Sequence, residues 1–306
     1  MPPRRTSGLL SLILASLLLS SRSPAQAPPV NPAEATALIR QAVANRFAED
    51  KHHQPQRFVF HKQDERHNLT QQIIETPQGD VALLIGVNGN PLGPIGRQNE
   101  KNRLDTLDNH PEVQEHRRRR EQADSDRIDN LLRMLPDAFL YTYKDTEPCT
   151  VSTPPDIPIP GAPPRAAAPP PSPTVACYHM TFTPKPDWDP PSLEAKVLRG
   201  MAGDAWLDVA DDRLYKLDAH LIDDVDFGWG IVGRLNKGGT IYLEQTLISP
   251  HNWELTRMKM NFTGKAFMVK PISFHINEEL AHFEPVPPGI DYHKAIHMLE
   301  QQQPTH

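Results

Sequence analysis

Residues 203–285 decide the fold, because they are a succession of β-strand patterns. The segments are GDAWLDVADDRLYKLDAHLI (203–222), GGTIYLEQTLI (238–248) and NWELTRMKMNFTGKAFMVKPISFHI (252–276). Alternation of apolar and polar residues with short Gly, Asp or Asn connections is typical of an antiparallel meander. Asp211-Asp212 predicts one turn, and Thr263-Gly264 predicts the turn of the last hairpin. A sheet of this kind buries one face, so the pattern predicts a covering layer.

A helix ahead of the meander supplies such a layer. Asn31 is a good N-cap, Pro32 suits the first helical position, and Glu34 lies three residues after the cap. Apolar residues then recur at helical spacing to about residue 49. The runs RFVFHKQ, NLTQQIIET and VALLIGVNGNPL continue the sheet, the last with an Asn88-Gly89 turn. The sequence predicts one mostly β (α+β) domain over residues 31–287.

A charged insert at 97–135 interrupts this pattern. It reads as one or two surface helices that Pro111 separates. The run HRRRR (116–120) could indicate a nucleic-acid or anionic-lipid site. However, the insert holds nine Lys and Arg against nine Asp and Glu, and the whole chain has a net charge of −6. Balanced, alternating charge is typical of a solvated helix face, so we expect no nucleic-acid partner.

A proline-rich loop follows at 148–173 and holds eleven of the 33 prolines. Such a stretch favours polyproline II or disorder rather than packed structure. Cys149 and Cys177 flank it and predict a disulfide that closes a loop of roughly 28 residues, stabilising the fold by about 3 kcal/mol. Two free thiols are the alternative. Residues 288–306 read as a polar tail with a helical turn or two.

The first 25 residues have the three parts of a secretory signal. Arg4-Arg5 give a positive start, an apolar run reaches Leu19, and SRSPAQA offers cleavage after Ala25 or Ala27. The apolar run is shorter than the ~20 residues a membrane span needs, and no other segment is long enough. We therefore expect a soluble periplasmic protein after cleavage.

Catalytic and cofactor motifs are weak. Gly228 to Gly233 match the dinucleotide fingerprint, but Lys237-Gly238-Gly239 stand where the required helix would begin. No serine has a nucleophile-elbow environment, neither cysteine has a catalytic setting, and no metal-ligand spacing is complete. We expect no cofactor, no metal and no catalytic residues; an enzyme ranks third among the functions.

The order of elements resembles the LolA-like family of periplasmic lipoprotein-sorting and lipid-binding carriers. The resemblance covers residues 175–285 well, through GDAWLD…LYKL, LEQ and the strand NWELTRMK, and residues 31–145 loosely. It implies a half-open antiparallel β-barrel packed on the N-terminal helix, with an apolar cavity for acyl chains. The 97–135 insert and the proline-rich loop are departures from that pattern.

The first functional prediction is a non-catalytic carrier or sensor of a hydrophobic ligand, such as a lipid or lipoprotein. Met258, Met260 and Phe262 share a strand face and would line the cavity, and Phe227 and Trp229 would form a movable rim. The same residues could instead form the core under the helix. The second prediction is therefore an exported interaction module with a filled core, whose charged insert contacts an envelope protein. An empty apolar cavity would separate the two.

Overall fold

The computed structural model describes residues 31–50, 53–163, 172–227, 233–249, 252–267 and 269–301. The predicted signal segment and Trp229 lie outside these residues. The helices are α1 (Pro32–Asp50), α2 (Pro94–Asn109), α3 (Pro111–Ala138) and α4 (Tyr292–Glu300), with a 3₁₀ helix at Glu194–Gly200. The strands are β1 (Gln56–Gln63), β2 (Asn68–Ile74), β3 (Val81–Val87), β4 (Asn90–Pro91), β5 (Phe139–Thr150), β6 (Thr174–Pro184), β7 (Met201–Asp208), β8 (Arg213–Leu221), β9 (Val225–Phe227), β10 (Gly233–Leu235), β11 (Thr240–Ser249), β12 (Asn252–Ala266) and β13 (Lys270–Pro285).

All thirteen strands belong to one antiparallel sheet. Its order is β4-β3-β2-β1-β13-β12-β11-β8-β7-β6-β5, and β9 and β10 are attached beside β12. β4 and β5 do not pair with each other, so the sheet is open. The prediction of a mostly β, α+β fold is confirmed.

The register separates two faces of the sheet. We call the side that carries Met180, Ala205 and Met258 the front face, because these residues are paired through one row from β6 to β12. The side that carries His179, Trp206, Lys216, Glu244 and Arg257 is the back face, and these residues are likewise paired from β6 to β12. Successive residues of a strand point to opposite faces, so the two rows cannot mix without a bulge.

Helix α1 packs on the front face. Its start is capped as the sequence predicts, because the side-chain oxygen of Asn31 accepts a hydrogen bond from the Glu34 N–H at 3.0 Å. Ala35, Leu38, Ile39 and Ala42 are buried in the main core, which includes the front-face residues of β5 to β8. Tertiary burial along this stripe stabilises the helix more than propensity alone can.

The charged insert forms α2 and α3, which meet at His110, directly before Pro111. Its charges pair along the helix surface, as in Arg118–Glu115 at 2.7 Å and Lys101–Asp105 at 2.7 Å. Near its start, α3 contacts the β2–β3 turn, since Gln114 Nε2 donates to the Gln78 carbonyl at 2.9 Å. Near its end, Leu131, Met134 and Leu135 pack against the main core.

Helices α2 and α4 cover the other end of the sheet, on its back face. They enclose a second core with Ile74, Val81 and Leu83 of β2 and β3. Ile296 and Leu299 of α4 are fully buried there, so the polar description of residues 288–301 fits only the outer side of this helix. Asp291 caps α4 through the Lys294 N–H.

One predicted turn was wrong. Thr263 and Gly264 lie inside β12, paired with Ser273 and Ile272, and β12 continues to Ala266 before β13 begins at Lys270. Gly264 is required there for close approach rather than for a turn. A Cβ at this position would lie 2.0 Å from the Arg234 carbonyl oxygen, because β10 pairs with β12 at this point.

The proline-rich loop also differs from its prediction over its described part. Cys149 and Cys177 form the predicted disulfide, with Cα atoms 5.8 Å apart. The chain that follows Cys149 does not project from the protein as an unpacked loop, because Val151, Pro155 and Ile157 are buried. Isoleucines alternate with prolines over Ile157–Pro160, and this alternation gives an extended segment one apolar side to bury.

Within the described ranges, no helix combines the length and the apolarity that crossing a bilayer requires.

Candidate functional site: a cavity under the proline-rich strap

The described part of the proline-rich loop, residues 150–163, crosses the back face of the sheet, and we call it the strap. It starts beside the disulfide, where the Val151 N–H donates to the Pro173 carbonyl. It ends above β3 and β4, where Pro160 and Gly161 lie against Gly86 and Pro91. A Cβ on Gly86 would lie only 2.4 Å from Pro160 Cγ, so the glycine allows the strap to contact the sheet directly.

Three side chains of the sheet hold the strap by its carbonyl groups. Tyr215 Oη of β8 donates to the Thr150 carbonyl at 2.9 Å, and Arg257 Nη2 of β12 donates to the Thr153 carbonyl at 3.0 Å. His282 of β13 lies 2.9 Å from the Ile157 carbonyl through Nε2. A carbonyl oxygen only accepts, so Nε2 carries the proton in this contact. The strap is thus fixed at three strands, β8, β12 and β13.

His282 is held in an uncommon backbone conformation. Its φ is 58°, in the left-handed region. The register of β1 and β13 shifts at this point, because β13 has one residue more than β1 between the pairs Arg57–Glu284 and Val59–Ala281. Non-glycine residues seldom adopt this conformation, and bulges often redirect a side chain beside a functional site. Here the register shift lies beside His282, whose imidazole contacts the strap.

A cavity of about 810 Å³ lies between the strap, the β1–β3 part of the back face and the start of α2. Its wall is largely apolar, with four prolines among the lining residues. The strap side is Asp156 to Pro163, the sheet side includes Phe58, Val59, Leu83, Leu84 and Ile85, and the α2 side includes Leu92 and Arg97. The volume and the apolar wall fit a small-molecule site, for which about 300–1,000 Å³ is usual.

A few polar groups lie at the edge of the cavity. Arg57 and Glu284 form an ion pair, and Arg97 Nη1 donates to the Leu92 carbonyl at 2.7 Å. Beneath the wall, the buried Glu100 accepts from the Leu84 N–H at 2.7 Å and pairs with Arg103 at 2.7 Å. These contacts fix β3 against α2, so the sheet side of the cavity is preformed.

The residues predicted to bind a ligand lie elsewhere. Phe262 is in the main core, where its ring packs directly on Gly239, and Met260 and Phe227 pack against the same core. Met258 is half-buried on the front face. Met260 also lines a shallow pocket of about 410 Å³ with His275 and Ile276. None of these residues lines the cavity under the strap.

Sequence reasoning therefore missed the residues of the cavity. The signal that could have found the strap is the alternation of isoleucine and proline, which a solvated linker does not need. The residues that anchor the strap carry no such signal, because Tyr215, Arg257 and His282 are 52 residues or more from any strap residue along the chain. Only the strand order brings them to one face.

Comparison with known proteins gives no relative: no family model, no curated protein and no solved structure matches the chain.

Proposed function

We propose that this protein is a non-catalytic carrier or sensor of a hydrophobic ligand, and that it binds an acyl chain under the strap. The preformed cavity of about 810 Å³ is the observation that carries the proposal. Apolar side chains line three sides of it, and burying such a wall around an apolar ligand is favourable by about 25 cal/mol for each Å² removed from water.

The strap suits the role of a roof. Its prolines have no N–H groups, so this side of the cavity presents few donors that a hydrocarbon chain would leave unsatisfied. Side chains rather than a strand ladder hold the strap to the sheet, through Arg257 and His282. The roof can therefore move to admit a ligand while the sheet keeps its hydrogen bonds.

The resemblance to LolA-like carriers supports the same class of ligand by analogy alone. In this proposal, the open sheet curves into a half-open barrel on α1, and Met258, Met260 and Phe262 offer a second place for an acyl chain on the front face. Phe227 and Trp229 would form the rim of that second place. The leader pattern and the disulfide support export to the periplasm, where the ligand would be a lipid or a lipoprotein.

An exported interaction module is the second candidate. The observation that favours it is the strap itself, because Ile157 is only 3% exposed and already fills part of the apolar back face with Val59 and Ala281. In that case, the strap completes the core, and the charged surface of α3 contacts a protein of the envelope.

Binding of a fluorescent fatty acid to the purified, delipidated protein tests the proposal. Ile159 lines the cavity from the strap and is 39% exposed, so an Ile159→Asp change should fold normally. We expect saturable binding by the unchanged protein and at least a tenfold weaker affinity in this variant. The control is Ile128→Asp on α3, whose side chain is 58% exposed and lies outside the cavity lining; its affinity should not change.

Met260→Asp distinguishes the two locations. Weaker binding in this variant with normal binding by Ile159→Asp would place the ligand on the front face and refute the site under the strap. Absence of saturable binding by the unchanged protein would favour the interaction module. Mass spectrometry of lipids that co-purify with the protein would then identify the natural ligand of a carrier.

A further inference from the structure

A second cluster of polar side chains lies on the back face, away from the cavity and next to the disulfide. Asp145 and Glu147 of β5 and His179 of β6 place one potential ligand atom each within 4.8 Å of one another. His179 Nδ1 lies 3.5 Å from the nearer carboxylate oxygen of Asp145. Neither the fatty-acid site nor the strap uses these groups.

A bulge in β5 creates this arrangement. Tyr143 packs against the main core on the front face and pairs with Met180, and residues two apart on a regular strand share a face. The register shifts between Tyr143 and Asp145, so Asp145 pairs with His179 on the back face. The bulge therefore places the carboxylate of Asp145 on the same face as Glu147 and the imidazole of His179.

The side chains of His179 and Glu147 are each oriented by another residue. His179 Nε2 is 2.8 Å from Asp204 Oδ1, and a carboxylate requires a proton on this nitrogen. In the neutral imidazole, the lone pair of Nδ1 is then left on the side of Asp145. Trp206 Nε1 donates to Glu147 Oε1 at 2.6 Å, and the indole ring stacks on the imidazole at 4.8 Å between centroids.

This pattern is that of a metal site with its supporting residues. Histidine ligands usually donate their second N–H to a carboxylate, which fixes the tautomer and raises the basicity of the ligating nitrogen. Two carboxylates and a lone pair facing one another repel unless a cation lies between them. Lys216 does not take that position, since its Nζ lies over the Trp206 ring, at 4.2 Å.

We propose that Asp145, Glu147 and His179 bind a divalent cation of the Zn²⁺ class. One imidazole nitrogen and two carboxylate oxygens are accepted zinc ligands, and three protein ligands leave a coordination position for water. The cation would link β5 to β6 two residues from Cys149 and Cys177. It would therefore stiffen the base from which the strap starts.

Isothermal titration of the oxidised, chelator-treated protein with Zn²⁺ tests the site. We expect one Zn²⁺ per chain. Asp145→Asn, Glu147→Gln and His179→Gln should each weaken binding at least tenfold. His275→Gln is the matched control, because this exposed histidine lies on β13, away from β5 and β6, and it should leave the affinity unchanged.

Asp145 keeps the test valid if the other variants fold poorly, since its carboxylate is 59% exposed. Equal Zn²⁺ affinity in Asp145→Asn and the unchanged protein would overturn the proposal, as would the absence of binding. In the latter case a doubly protonated His179, detected by ¹⁵N chemical shifts, would identify an imidazolium as the cation held by Asp145 and Asp204.

Discussion

Arg257 connects a buried carboxylate to the strap. Its Nη1 lies 3.5 Å from Glu244 Oε2, and its Nη2 donates to the Thr153 carbonyl. The Glu244 side chain is only 6% exposed, and Tyr242 Oη also donates to it, at 2.8 Å. A carboxylate in this position depends on both partners, because burial removes the water that would otherwise solvate it.

Arg257→Met should therefore destabilise the protein by about 3 kcal/mol, since it leaves Glu244 buried without its cation. Adding Glu244→Gln should recover most of the loss, because a neutral amide costs less to bury. Urea unfolding of the two single variants and the double variant measures the coupling. Arg120→Met on the exposed face of α3 is the control and should stay within about 0.5 kcal/mol of the unchanged protein. Independent, additive effects of the two substitutions would contradict this account.

Gly86 controls how closely the strap approaches the sheet. We expect Gly86→Ala to displace the strap, because its Cβ would lie 2.4 Å from Pro160 Cγ. Limited proteolysis should then cut the strap, residues 150–163, faster than in the unchanged protein. Gly93→Ala is the matched control, since a Cβ there meets no atom within 4 Å and its φ of −67° suits any residue. Equal cleavage rates in both variants would show that the strap does not depend on this contact.

The strap and the disulfide act as one element. Cys177 is fully buried and Cys149 is 7% exposed, in a cluster with Val151, Tyr215 and Trp253. This cluster fixes the first residues of the strap on the back face. The sequence predicts that the cysteines flank the loop. It does not predict the burial of the loop, because the residues that bury it come from β8 and β12 at its start and from β1 and β13 at Ile157.

Replacing both cysteines with alanine should lower the free energy of unfolding by about 3–4 kcal/mol, since the separation of 28 residues sets the loop entropy of the unfolded chain. Urea unfolding under oxidising and reducing conditions measures this. Reduction should weaken the unchanged protein and leave the double variant unaffected. An equal response of the two proteins to the reductant would contradict the prediction.

Short sequence motifs correctly predict those helix ends and turns that depend only on residues close together in the chain. Asn31 caps α1, Pro111 starts α3, and Asn88-Gly89 turns with both φ angles positive, at 53° and 74°. Gly264 shows the limit of such signals. The same residue suits a turn or a close approach of two strands, and only β10, 29 residues away at its nearest in the sequence, decides between them.

At the scale of the whole molecule, one cluster links distant parts of the chain. His53 Nε2 lies 2.7 Å from Glu75 at the end of β2 and its Nδ1 lies 3.7 Å from Glu254 of β12. The hydrogen bond to Glu75 raises the pKa of His53 above its ordinary 6.5. Burial raises the pKa of Glu254 above its ordinary 4.5.

Both shifts make stability fall as pH rises. A group with a raised pKa binds its proton more tightly in the folded state, so protonation favours folding. The stabilisation that His53 contributes is complete below pH 6.5 and is lost as the pH rises through its raised pKa. The stabilisation that Glu254 contributes begins to decrease above pH 4.5. We expect a lower melting temperature at about pH 8 than at about pH 5.5.

In His53→Gln the melting temperature should depend less on pH above pH 6.5. In Glu254→Gln it should depend less on pH from about pH 4.5 upward. Differential scanning calorimetry across this range measures both. His293→Gln is the control, because this histidine of α4 pairs with Asp108 of α2 and does not contact the His53 cluster. A pH profile that stays the same in His53→Gln would exclude this cluster as its source.

The sequence predicts which residues of a strand share a face of the sheet, but it does not predict which face carries the cavity. Alternation along β12 correctly separates Met258, Met260 and Phe262 from Arg257 and Lys259. It does not say which face carries a cavity, because helices cover opposite faces at opposite ends of the sheet. That placement depends on α3, whose 28 residues reach from the β2–β3 turn to the main core.

The route of the strap sets the order in which its contacts can form during synthesis. Thr150 bonds to Tyr215, Thr153 to Arg257 and Ile157 to His282, over separations of 65, 104 and 125 residues. Each anchor therefore emerges from the ribosome later than the one before it. Both cysteines emerge before any of the three anchors, so the covalent loop can close first. The strap can then attach from its base outward, and the cavity under it is complete only after the last long strand has entered the sheet.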